Sequence, residues 1–306
     1  MIAMQDSATA KLCAFARAYH SSMGKQKIFD DYLAYDMVGA EDYDRLLRMI
    51  GESCSPEEYF RRYGFESTLS FEEMNRCFAP IILPRTAFAE QALGHFADAW
   101  GSCQYIICGA GLDTFAFRNQ RSDIRIFELD HPDTQAHKLE RIQALRWNIP
   151  ENVCYAGIDF TRDKLSDVLL AAGYRPEEPA FFSILGVTYY LSAHDFSGMV
   201  HDISYLSRAG NQLVFDFPDE TTFFGSGERV QELAALTARL GEPMQQGFSV
   251  KEVRQLLRRQ GVRIVHHAAP EEIQREFFGN RLDKQRAFEN IHFILGQREE
   301  NYYGNL

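Results

Sequence analysis

The segment Tyr105-Ile-Ile-Cys-Gly-Ala-Gly-Leu-Asp-Thr114 is followed, after one further helix-length stretch, by Phe127-Glu-Leu-Asp130. A short apolar run entering two glycines is what a buried parallel strand needs before a tight turn, because the absent side chains let a ligand approach the backbone. The order is strand, glycine turn, helix, strand, acidic end, and it puts a nucleoside-bearing cofactor against Gly109, Ala110 and Gly111. Glu128 lies nineteen positions after Gly109 and Asp130 twenty-one, close to the spacing at which a second strand delivers a carboxylate to a ribose hydroxyl pair. Where a dinucleotide fingerprint carries its third glycine this chain has Thr114, so the turn is poorly suited to a pyrophosphate. A cofactor with ribose and adenine but no phosphate fits better, and S-adenosylmethionine is the common case. An ordinary strand-to-helix turn is the alternative reading of the glycines alone.

Alternation of strand and helix patterns continues from residue 103 onwards. Strands are expected near 104–108, 124–129, 153–157, 180–186, 211–217, 262–267 and 287–295, the last a candidate for antiparallel pairing. This is an α/β chain with a mostly parallel seven-stranded sheet and helices on both faces. Residues 1–100 read as a helical N-terminal cap belonging to the same domain, and 101–306 as the cofactor-binding core. Ser55-Pro-Glu-Glu58, Ser70-Phe-Glu-Glu73, Ser192-Ala-His-Asp195 and Ser249-Val-Lys-Glu252 carry helix-start signals. Pro80 and Pro84 punctuate the cap. From Arg85 the residues Phe88, Ala92, Phe96 and Trp100 recur every four positions, so one apolar helix face packs beside the first strand, and Gly101 stops it. In such sheets the ligand sits over the carboxyl ends of the strands where their order reverses. That rule directs attention to 109–113, 128–131, 159–161, 185–190 and 216–219.

A net charge of −11 offers no basic field for a phosphate backbone, which argues against nucleic acid as a partner. The six cysteines, at 13, 54, 77, 103, 108 and 154, include no Cys-x-x-Cys pair and read as reduced buried thiols; no metal site is expected. No window approaches the roughly 18 uninterrupted apolar residues of a membrane span, and the start lacks a basic segment leading an apolar one, so a cytoplasmic protein is expected. Oligomeric state is not readable.

The strand-end positions, taken with Pro84-Arg-Thr86, resemble the leucine carboxyl methyltransferase family, which also holds bacterial O-methyltransferases of polyketide type. Gly109-Ala-Gly-Leu-Asp-Thr-Phe-Ala-Phe-Arg118 is similar to the family's glycine loop, and Phe127-Glu-Leu-Asp-His-Pro132 with Lys138 to its acidic second strand. Arg17-Ala18 and Phe29-Asp-Asp-Tyr-Leu-Ala34 are similar to its N-terminal signature, so the resemblance runs from about 14 to about 295. It implies a Rossmann-like methyltransferase fold and S-adenosyl-L-methionine as cofactor. It also implies that Arg85 takes the cofactor's methionine carboxylate, a role suited to a guanidinium fork. By the same resemblance Asp130 binds the ribose, while Glu128 shares it or anchors the glycine loop. Asp159 and Phe160 would meet the adenine. Where the family carries a glutamate before glycine, this chain has Leu185, which offers the cofactor's ammonium only a backbone carbonyl.

Methyl transfer from a sulfonium is an in-line displacement needing alignment and dryness more than covalent help. A carboxylate acceptor is already ionised at neutral pH, whereas a phenol benefits from a base. His20, His194 and Asp216 are the candidate bases, and Tyr19, Tyr189, Tyr190, Phe223 and Phe224 candidate acceptor-pocket residues. Residues 218–247 read as a possible lid, its phenylalanine-bearing part at 218–227. The expected activity is O-methylation of a carboxylate or hydroxyl of a small molecule or peptide. A non-catalytic S-adenosylmethionine-binding protein and an NAD(P)-dependent oxidoreductase are the competing readings.

Overall fold

A computed structural model describes residues 7–23, 26–52, 74–223, 227–239, 241–245, 247–283 and 285–300. The strands are β1 (Cys103–Cys108), β2 (Ile124–Asp130), β3 (Val153–Gly157), β4 (Ala180–Ile184), β5 (Gln212–Pro218), β6 (Val262–Ala268) and β7 (Ile291–Arg298). They form one sheet in the order β3-β2-β1-β4-β5-β7-β6, with β1 to β5 parallel and β7 antiparallel to both of its neighbours. The chain runs outward from β1 to β3 and then crosses back to lay β4 beside β1. The order therefore reverses between β1 and β4, and a crevice opens at their carboxyl ends.

The helices are α1 (Ala8–Met23), α2 (Ala34–Val38), α3 (Ala40–Glu52), α4 (Ala79–Trp100), α5 (Phe115–Arg118), α6 (Pro132–Ala144), α7 (Leu165–Ala171), α8 (Ala193–Leu206), α9 (Glu228–Arg239), α10 (Val250–Arg259) and α11 (Pro270–Ile273). Strand side chains alternate between faces: Tyr105 and Ile107 join a core with Phe15, Phe88 and Phe96 of α1 and α4, while Ile106 and Cys108 join one with Phe196 and Leu257 of α8 and α10. Both faces of the parallel part are thus covered, and its strands read as apolar runs. Ser249 and Glu252 form a reciprocal capping box, and the Ser192 side chain accepts from the Asp195 N–H. The helix starts expected at Ser55 and Ser70 lie outside the described residues.

Three local expectations differ. Strand β4 stops at Ile184 rather than 186, because Gly186 (φ +72°) turns the chain away. Strand β7 begins at Ile291, not 287. Ala287 and Phe288 are buried as a strand's would be, but they are held by Arg229, whose guanidinium donates to Ala287 O and lies 4.2 Å over the Phe288 ring. Finally, α4 is one helix of 22 residues that starts at Ala79, so Pro84 lies inside it and Arg85 is not at a helix start. Proline costs the helix one hydrogen bond; burial of Ile81, Ile82, Leu83 and Phe88 outweighs it. The apolar face of α4 does not stop at β1: Phe96 meets Phe181 of β4 at 5.6 Å, and Phe88 meets Phe293 of β7 at the same distance. Gly101 (φ +76°) ends the helix as expected, and Trp100 is 39 % exposed.

The N-terminal helices are pinned to the sheet by one buried carboxylate. Asp31 (1 % exposed) accepts from Arg17 Nε at 2.8 Å and from Thr114 Oγ1 at 2.6 Å, with Arg118 Nε 3.4 Å away. Arg17 Nη2 also donates to Leu112 O at 2.8 Å, and Arg118 grips Glu90 of α4. Burial pushes the Asp31 carboxyl up, but Arg17, Arg118 and the Thr114 hydroxyl outweigh it and hold it below its ordinary range. Removing this anion leaves the buried Arg17 guanidinium with no carboxylate partner among the described residues, while Arg118 keeps Glu90. Asp31→Ala should lose about 3–5 kcal/mol of stability, read as a lower urea midpoint at unchanged m-value.

Candidate functional site

Over the carboxyl ends of β1 and β4 lies a cavity of about 450 Å³. Its floor is the glycine turn. Gly109 and Ala110 donate their N–H groups to Leu129 O at 2.8 and 3.0 Å, tying the turn to β2. Gly109 has φ +79°, and a Cβ there would stand 2.3 Å from Val187 Cγ2; Gly111 has φ +50°, with Ala10 of α1 in the same relation at 3.1 Å. Glycine is therefore required at Gly109 on two counts, left-handed backbone and close approach.

At the end of β2, Asp130 is half-buried and lines the cavity. One of its oxygens accepts from the Gly111 N–H and the other from the His131 N–H at 2.7 Å. Burial pushes this carboxyl above its ordinary range, and those two backbone donors oppose the shift. Beyond β3, Asp159 and Phe160 also line the cavity. Asp159 Oδ1 accepts from both the hydroxyl and the N–H of Thr161, at 2.6 and 3.0 Å, and the hydroxyl bond foremost holds its carboxyl low. Asp159 thus forms a turn with Thr161 while also lining the cavity.

Arg85 enters from α4, buried but for its edge on the cavity. Its Nη1 donates to Asp216 Oδ2 at 3.0 Å and its Nη2 to Cys13 Sγ at 3.3 Å. Asp216, fully buried on β5, also accepts from the Tyr189 hydroxyl at 2.8 Å and the Gly186 N–H at 2.7 Å. Gly186 must be glycine because a Cβ would stand 2.5 Å from Arg85 Nη2 at φ +72°. Leu185 lines the same wall.

Two further segments complete the lining, neither named among the cofactor-binding candidates, although the second falls within the 218–247 stretch read as a lid. Ser7, Thr9, Ala10, Cys13 and Arg17 bring the start of α1 over the glycine turn, and Gly241, Glu242, Pro243 and Gln245 close the opposite side. The two meet: the Glu242 carboxylate accepts from the N–H groups of Ala8 at 2.9 Å and Thr9 at 3.2 Å. It satisfies orphan donors at the start of α1, a helix with no acidic residue of its own in its first turn. Gln245 N–H donates to Tyr189 O at 2.8 Å. Gly241-Glu-Pro243 is a readable stop after α9, but nothing in sequence shows where the chain returns.

The family model for leucine carboxyl methyltransferase matches residues 10–204. The chain is 35 % identical over 297 residues to YktD of Bacillus subtilis (strain 168), a protein named as an S-adenosyl-L-methionine-dependent methyltransferase, covering 95 % of this chain and 97 % of that one. This protein belongs to the leucine carboxyl methyltransferase family. It is an S-adenosylmethionine-dependent methyltransferase. Its fold is shared with a crystal structure from Thermobifida fusca YX titled as a methyltransferase (TM-score 0.52, 16 % identity, 93 % of this chain and 94 % of that one). A DUF574-family protein from Streptomyces avermitilis MA-4680 is also similar in fold (TM-score 0.54, 15 % identity, 82 % and 100 %).

Within this methyltransferase the candidate bases do not line the cavity. His20 is buried on α1, where its Nε2 accepts from the Ile28 N–H at 2.9 Å; burial, then Arg281 and Lys27, lower its pKa to about 4 and keep it neutral. His194 is exposed at the start of α8. Asp216 is committed to three donors beneath the wall. Of the aromatic candidates, Tyr190 lines the cavity, while Tyr189 turns its hydroxyl to Asp216. Tyr19 is buried in the core outside the lining, Phe223 is 43 % exposed away from it, and Phe224 lies outside the described residues.

Glu128 is also absent from the lining. Although strand alternation points it to the same side as Asp130, it lies two residues deeper, under α6, 1 % exposed and paired with the Lys138 ammonium. Burial pushes its carboxyl from 4.5 up to about 7 despite Lys138. A raised acid pKa means the native state holds more protons than the unfolded chain between those values, so this group's contribution to stability declines as pH rises through that window. Melting curves from pH 4.5 to 7 should show wild type losing stability with rising pH relative to Glu128→Gln, with no further relative change above.

Proposed function

We propose that the cavity over β1 and β4 is the S-adenosylmethionine site and that the methyl group goes to an oxygen of a carboxylate or hydroxyl acceptor. The observation that carries this reading is convergence. Residues from five separate stretches, Arg85, Gly109 to Gly111, Asp130, Asp159 with Phe160, and Leu185, line one cavity at the point of strand reversal. Their chemistry fits the cofactor. Asp130 has carboxylate lone pairs to spare for a ribose diol after its two backbone donors. Phe160 offers a ring face for adenine and Asp159 an acceptor for its amine. Arg85 supplies a guanidinium for the methionine carboxylate, and its balancing partner Asp216 keeps the cation oriented. Leu185 contributes only backbone at the ammonium end, and Glu128 is left out of the site.

When bound, the cofactor supplies a methyl group activated on a sulfonium. The protein's part is to hold the acceptor oxygen in line with it and exclude water. Around Arg85 and Gly186 the cavity presents Thr9, Cys13 and Tyr190. Burial raises the Tyr190 hydroxyl above its ordinary value, and Glu242 is occupied by the α1 N–H groups. None of these is a ready general base, which favours a carboxylate, ionised without help, over a phenol. Residues 218–247 are read as a lid, supported by the Glu242 and Gln245 contacts that join 241–245 to α1 and Tyr189. The negative charge supports a protein that does not bind nucleic acid, and cysteines spaced without a Cys-x-x-Cys pair support a cytoplasmic one. Among the described residues no helix is long and apolar enough to cross a membrane.

Calorimetry with S-adenosylhomocysteine tests the reading. Wild type should bind at micromolar Kd and Asp130→Ala at least about tenfold more weakly, equivalent to about 1.4 kcal/mol, with NADH giving no heat in either. Absent binding in wild type, or a preference for NADH, would falsify it.

A further inference from the structure

Behind the wall formed by Arg85 and Gly186 lies a second, smaller cavity of about 50 Å³, several times what a single water needs. It is lined by Leu12 of α1, Phe78, Ile81 and Ile82 at the start of α4, Leu233 of α9, and Met244. Thr9, Cys13, Arg85, Gly186 and Tyr190 border both this chamber and the larger cavity. The two are therefore contiguous along this wall.

The polar side chains on the chamber's wall are already partnered. Arg85 is held by Asp216 and Cys13, the Tyr189 hydroxyl donates to Asp216, and the Tyr190 hydroxyl pairs with Thr9 Oγ1 at 3.3 Å. Thr237 Oγ1 donates to Ala234 O at 3.0 Å within its own helix. Asp216 balances the Arg85 charge from beneath. A polar or charged group pushed into this chamber would lose water and find no free partner among these side chains, whereas an apolar group would gain by leaving water.

We infer that this chamber is the acceptor's specificity pocket, and that the acceptor is a hydrophobic monocarboxylic acid whose apolar end fills it while its carboxylate stays in the larger cavity at the Gly186–Tyr190 border, clear of the Arg85 guanidinium given to the cofactor. The inference rests on the oxygen-methylation reading above and adds to it the chemical class of the acceptor. Leu233 and Met244 are the size-determining residues. Both border the chamber without lining the cofactor cavity, and both come from the 218–247 segment. Acceptor selection is thereby assigned to the stretch read above as a lid.

The test uses full-length protein saturated with S-adenosylhomocysteine and titrated with a homologous series of straight-chain monocarboxylic acids and their dicarboxylic counterparts. Parallel turnover assays use methyl-labelled S-adenosylmethionine. Affinity and kcat/KM should climb with each methylene until the chamber is full, and a second carboxylate at the far end should cost roughly tenfold or more. Leu233→Ala should move the preferred length up, and Met244→Phe, at a half-buried position that tolerates change, should move it down. S-adenosylhomocysteine affinity should stay unchanged in both. A flat length dependence, a preference for the dicarboxylic acids, variants that leave the preferred length where it was, or no acid binding by protein that still holds S-adenosylhomocysteine would overturn the inference. Wild type that holds no S-adenosylhomocysteine overturns the underlying function instead.

Discussion

The buried Asp216 carboxylate, with Arg85, the Tyr189 hydroxyl and the Gly186 N–H gathered on it, is the interaction on which the site depends. An isolated charge in this position would be costly, and so would an isolated guanidinium. Together, each satisfies the other, and three elements are fixed at once: β5 through Asp216, α4 through Arg85, and the turn after β4 through Gly186 and Tyr189. Thr188 Oγ1 adds a bond at 2.6 Å to the backbone oxygen of the same aspartate. The result is a rigid wall standing at the strand reversal, with the large cavity on one side and a small apolar chamber on the other.

That arrangement explains why the cation lining the cavity is a positioned group rather than a free one. Arg85 has one edge committed to Asp216 and the other beside Cys13, so the rotamer of its guanidinium is set before any ligand arrives. Pre-organisation of this kind lowers the ordering cost of binding. The same logic recurs at the glycine turn, which is tied to Leu129 O and Asp130 before any ligand arrives, and at Asp31, which joins α1 to the loop after β1. The site is carried by anions buried among fixed donors, and the chain's excess of acidic residues is spent partly inside.

How much of the site sequence reveals depends on how local each signal is. The glycines, Asp130, and Asp159 with Phe160 each follow a strand end directly, so once the strand is recognised their position follows from the rule that ligands sit over carboxyl ends. Glu128 obeys the same alternation, yet α6 lowers Lys138 onto it and removes it from the cavity, because depth along a strand is decided by what packs above. Pro84 is a local helix breaker overruled by the burial of its neighbours, which puts Arg85 inside a buried helix rather than at a helix start. Asp216, by composition a plausible base, is neutralised by a partner 131 residues away that sequence alone does not indicate.

By itself the sequence determined the α/β class, the seven strands, the glycine turn and the acid that follows it, because strand periodicity, left-handed glycine positions and strand-end carboxylates are all written within a few residues of one another. Tertiary structure alone decided the rest: that β7 inserts between β5 and β6, that Glu242 reaches back to the start of α1, that Glu128 is buried against Lys138, and that α1, α4 and α9 enclose an apolar chamber beside the larger cavity. These depend on contacts between segments far apart in the chain. Such contacts form only when burial of the whole core overrides what each segment prefers on its own.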